Sequence, residues 1–81
     1  MRKWLTKRVI NSFARRFKKL DNAILTGKLS IDHGESQWRK CQSECRSYIL
    51  DTPDEFLPEY LRHPLSYDDK EMSRRVIAGR I

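Results

Sequence analysis

Two apolar seams joined by a short turn constrain this chain more than any other feature. The first runs through Ile10, Phe13, Phe17, Leu20 and Ile24, the second through Ile31, Gly34, Trp38, Cys41, Cys45 and Tyr48. Both advance by alternating steps of three and four, which returns a side chain to one face of an α-helix every two turns. Each segment therefore predicts an amphipathic helix with one narrow apolar stripe.

Folding the chain back at Thr26 to Leu29 sets the two stripes against each other. Ile24 then faces Ile31, Leu20 faces Gly34, Phe17 faces Trp38, Phe13 faces Cys41 and Ile10 faces Cys45. Large side chains mostly meet small ones, the arrangement that close helix packing requires. The fold expected is all-α, with an antiparallel two-helix hairpin over about 2–25 and 31–50. Gly27 supplies the left-handed stop of the first helix and Ser30 the cap of the second. A turn this short makes the two helices neighbours.

Beyond Leu50 the pattern changes. Thr52, Pro53 and Glu55 read as a cap, a first-turn proline and a capping-box acid, so a third helix is expected there. Pro58 limits it to a kink or short turns, ending before Pro64. Ser66 with Asp69 three residues later predicts the start of a fourth helix, stopped by Gly79. These two shorter carboxy-terminal helices are expected to cover the hairpin with Phe56, Leu57, Tyr60, Leu61, Leu65, Met72, Val76 and Ile77. A chain of 81 residues suffices for a single helical domain, 1–81, and for no second core. Its oligomeric state stays open, because heptad seams build homodimers as readily as hairpins.

The charge is unevenly held. Residues 1–28 carry nine Lys or Arg against one acid, Asp21, for +8, and residues 29–81 carry eight bases and ten acids, for −2. With Ile10 at heptad position a, Arg8, Arg15, Lys18 and Lys19 fall on the solvent side of the first helix, and Arg16 flanks its seam. Arg15 and Lys19 are like charges at i and i+4, a pairing that disfavours an isolated helix. An anion is needed nearby. It is either internal, from Asp51, Asp54, Glu55 and Glu59 laid along the helix, or an external partner.

No run of more than three apolar residues occurs, so no transmembrane segment is expected, and Lys7 and Arg8 break any secretory pattern. An Arg-rich start without acids also fits a mitochondrial presequence. Cys41 and Cys45, four apart on one helix, converge poorly for a disulfide, which points to a reducing, cytoplasmic setting. With His33 or His63 they could complete a metal site, but structural zinc normally shows two tight ligand pairs. Two small core residues are the plainer reading, and neither a metal nor a cofactor is expected. No Gly-rich phosphate loop or nucleophile paired with a base appears, so no catalytic residue is assigned.

The function expected is that of a small non-enzymatic regulatory or adaptor protein that binds a larger protein partner with an acidic surface. Short basic helical chains encoded by phages and mobile elements work in this way, an argument by analogy. Arg8, Arg15, Arg16, Lys18 and Lys19 form the expected binding face, with Trp4 and Leu5 as an apolar anchor at the open end of the hairpin. Two alternatives use the same helix. One is a nucleic-acid-binding accessory whose bases contact the phosphate backbone. The other lies on an anionic membrane surface through Trp4, Leu5, Val9, Phe13 and Phe17.

Overall fold

A computed structural model describes residues 4–79. Three α-helices account for most of them: α1 (Lys7–Leu25), α2 (Ile31–Asp51) and α3 (Asp69–Gly79). Helices α1 and α2 form the antiparallel hairpin, and α3 packs onto both. Between α2 and α3 the chain makes three single 3-10 turns, Asp54–Phe56, Glu59–Leu61 and Pro64–Ser66. The molecule is elongated along the hairpin, 41 × 25 × 22 Å.

The turn at the hairpin tip follows the expected chemistry. Gly27 sits at φ 75°, a conformation that costs a residue without a Cβ little. The Ser30 hydroxyl accepts the His33 backbone N–H at 3.3 Å and caps α2. Helix α1, however, begins at Lys7 rather than near Arg2. The Thr6 hydroxyl caps it by accepting the Val9 N–H at 3.3 Å. Just before that cap, the Leu5 N–H donates to the buried hydroxyl of Thr52 at 2.7 Å, and the same hydroxyl donates to the Tyr48 carbonyl. This pair of bonds ties the lead-in of α1 to the end of α2 and turns the Leu5 side chain into the core, where it is 4% exposed. Arg2 and Lys3, the expected first residues of the helix, lie outside the described residues.

The hairpin register also differs from the expectation. A Cβ added at Gly34 would run into the Ile24 side chain, so Gly34 faces Ile24 and not Leu20. Ile31, assigned to Ile24 by sequence, is left exposed, as is Leu25. The physical reason is the close approach itself: the one residue without a side chain admits the last apolar turn of α1. Deeper in the hairpin the rings meet as expected, Phe17 against Trp38 with centroids 4.8 Å apart. Phe13, assigned to Cys41 by sequence, makes a T-shaped contact with Tyr48, centroids 5.5 Å apart.

The core is wider than two facing stripes. Ala14 on α1 and Gln42 and Ile49 on α2 are buried although they lie off the heptad seams. Gln42 faces α3, and Ile49 lies near the third 3-10 turn. The Gln42 amide donates to the Ser73 hydroxyl at 3.1 Å, so the one buried amide of α2 has a partner. Leu57, Leu61, Met72 and Val76 complete the cover as expected, whereas Phe56 and Leu65 point outward.

The expected third helix is the set of 3-10 turns. Prolines at 53, 58 and 64 stand five and six residues apart, and each proline disfavours a helical residue before it. No α-helix has room to propagate between them. Backbone bonds close the first turn from Phe56 to Pro53 and the second from Leu61 to Pro58. The fourth expected helix starts at Asp69, and its cap is Asp68, whose carboxylate accepts the Glu71 N–H at 2.7 Å. Ser66 instead donates to the carbonyl of His63, a residue held at φ 63°.

Candidate functional site: a basic ridge and the groove beside it

The arginines of this protein have two fates. Arg46 and Arg75 are built into the fold. Arg46 of α2 bonds Asp69 at 3.1 Å and the Tyr67 carbonyl, fixing the start of α3. Arg75 bonds Glu71 at 3.1 Å and the Tyr60 carbonyl at 3.0 Å, and lies over the Tyr67 ring, which fastens α3 to the second 3-10 turn. Arg74 approaches the same Glu71.

The bases of α1 are treated differently. Arg8, Arg15, Lys18 and Lys19 are all exposed and make no ion pair among the described residues. They line the solvent side of a helix that, at 19 residues, extends about 28 Å. The apolar face opposite them is what puts them there: Ile10, Phe13, Ala14 and Phe17 are buried against α2 and α3. The acids that could have answered them do not. Asp51, Asp54, Glu55 and Glu59 are exposed at the amino-terminal end of α1 and make no ion pair among the described residues.

Arg16 is the exception within the expected binding set. It crosses to α2 and bonds Glu44 at 2.8 Å, both side chains about half exposed. That hydrogen bond raises the Arg16 pKa above its ordinary value. The pair fixes one point of a groove between α1 and α2 with a volume of about 470 Å³. Leu20, Ala23 and Leu29 form its apolar floor, and Arg16, Lys19, Lys28 and Lys40 stand around it with Glu44. No sequence pattern pointed to this groove, because Lys28 and Lys40 come from the turn and from α2. Only the hairpin register brings them beside Lys19.

The expected apolar anchor is altered. Leu5 lies in the core and is unavailable to a partner, while Trp4 is half-buried and stacks on Phe56 at 5.1 Å. The aromatic surface at this end is therefore Trp4 with Phe56, a residue supplied by the first 3-10 turn.

Cys41 and Cys45 are buried free thiols in the hairpin seam. Burial pushes Cys45 up to about 12 and raises Cys41 as well. Both are thus protonated near neutral pH, unlike thiols tuned for nucleophilic or ligand roles. No three His, Cys, Asp or Glu side chains converge to hold a metal among the described residues. No helix among them is long and apolar enough to cross a membrane. Comparison with protein-family models, with curated proteins and with solved structures gives no match, so the functional reading rests on these residues alone.

Proposed function

We propose that this chain is a small non-enzymatic binding protein that regulates a larger protein by seating the basic ridge of α1 on an acidic surface. The observation that carries the reading is the contrast between paired and unpaired bases. Arg46 and Arg75 are held by Asp69 and Glu71, while Arg8, Arg15, Lys18 and Lys19, gathered on one face of one helix, make no ion pair among the described residues. A helix that keeps repelling charges on one face loses stability in the free protein, and an anionic partner offsets that loss on binding.

Nucleic acid fits the ridge less well. Phe13, Phe17 and Trp38 serve the core, so the bases have no interleaved aromatics on which bases of a single strand could stack. Membrane binding would require the apolar face of α1, which α2 and α3 occupy.

Affinity capture tests the proposal. The immobilised full chain is expected to retain acidic proteins from nuclease-treated host extract. A variant carrying Arg8→Glu, Arg15→Glu and Lys18→Glu is expected to lose them while keeping its helical circular dichroism. Capture that survives the triple reversal would overturn the reading. So would retention that vanishes on nuclease treatment, accompanied by duplex binding whose affinity falls steeply with salt.

A further inference from the structure

We infer that the groove between α1 and α2 takes an acidic amphipathic peptide segment, with apolar side chains on the Leu20, Ala23 and Leu29 floor and carboxylates on Lys19, Lys28 and Lys40. This rests on the reading of an acidic protein partner and names the part of the surface that would distinguish one acidic partner from another. The ridge of α1 is polar throughout and offers charge alone. The groove beside it combines charge with an apolar floor, and its volume of about 470 Å³ falls within the range of about 300–1,000 Å³ usual for ligand clefts.

The charge of the rim selects the occupant. Glu44 is matched by Arg16 at 2.8 Å, and Lys19, Lys28 and Lys40 make no ion pair among the described residues. Three cations from three different segments therefore surround a floor of aliphatic carbon. The Arg16–Glu44 pair shows, within the protein itself, a carboxylate held at this rim. The floor has no aromatic ring on which a nucleic-acid base could stack. A segment that places leucine or similar side chains on one face and glutamate or aspartate along its edges satisfies both features. Docking of an amphipathic segment into a groove is a common recognition mode.

The test uses the full chain and two labelled peptides of about 12 residues, one alternating glutamate with leucine and alanine, the other glutamate alone, read by fluorescence anisotropy. The mixed peptide is expected to bind about tenfold tighter than oligoglutamate. Lys28→Glu with Lys40→Glu, both at exposed positions, is expected to weaken the mixed peptide by about tenfold or more, and the paired change to Arg to leave it within about threefold. Arg8→Glu with Arg15→Glu, on the outer ridge, is expected to leave the mixed peptide within about threefold also. Equal affinity for the two peptides would overturn the inference, because the floor would then contribute nothing. Unchanged binding by the Lys28 and Lys40 reversal would overturn it too. The ridge reading fails separately, through capture that survives the triple reversal on α1.

Discussion

Phe17→Ala is expected to lower the free energy of unfolding by about 3–5 kcal/mol, the usual cost of truncating a buried phenylalanine. Phe17 has no exposed surface and packs on Trp38 at 4.8 Å. It belongs to the core cluster and lies on a helix that packs against both α2 and α3. Chains of this size are stable by about 4–12 kcal/mol, at about 0.05–0.15 kcal/mol per residue. The substitution therefore removes a large share of the total. Urea unfolding followed by circular dichroism checks it, and a midpoint equal to that of the wild type would mean that Phe17 is not central to the core.

Leu61→Ala is expected to cost about 2–5 kcal/mol, although Leu61 lies in a 3-10 turn and not in a long helix. Its side chain has no exposed surface. Arg75 holds the preceding residue by bonding the Tyr60 carbonyl at 3.0 Å, and Gly79 of α3 lets the Tyr60 ring approach closely enough that a Cβ there would collide with it. The segment between α2 and α3 is thus bound into the core by side chains on both sides. The control is Leu65→Ala, 79% exposed in the next turn, expected to change stability by less than about 0.5 kcal/mol. Similar urea midpoints for the two variants would show that the 3-10 segment does not contribute as described.

What the sequence made legible was local. The steps of three and four through Phe13, Phe17 and Leu20 and through Trp38, Cys41 and Cys45 identify two helices. Gly27 and Ser30 mark the turn between them by their own backbone preferences. The start of α1 was hidden because Trp4 and Leu5 continue an apolar pattern, while the bond from Leu5 to Thr52 that ends the helix spans 47 residues. Ala14, Gln42 and Ile49 were missed for a related reason: a heptad stripe describes one neighbour, and α1 and α2 each have two. Periodicity places Gly34 on the seam as a point of close approach, but its partner Ile24 depends on the register, which the turn sets.

The candidate site divides in the same way. Exposure of Arg8, Arg15, Lys18 and Lys19 follows from their place opposite the apolar stripe, so sequence located them. Whether the acids of residues 51–59 neutralised them depended on where the 3-10 turns travel, which three prolines in a row of short turns do not specify. Leu5, expected at the surface, was claimed by the core, and Phe56, expected in the core, stands outside with Trp4. The groove has contributions from α1, the turn and α2, and no single segment announces it.

The claim that the basic face of α1 is left without an internal counter-charge is tested most directly by the melting temperature of Arg15→Glu against the wild type at low and high salt. The change removes a repulsive pair with Lys19 and places a carboxylate four residues ahead of it, the favourable order, each contributing about 0.2–0.5 kcal/mol. The account predicts a rise of about 2–8 °C at low salt that shrinks as salt screens the charges. A lower melting temperature for the variant would contradict it, because Arg15 would then be held by a carboxylate of the protein itself.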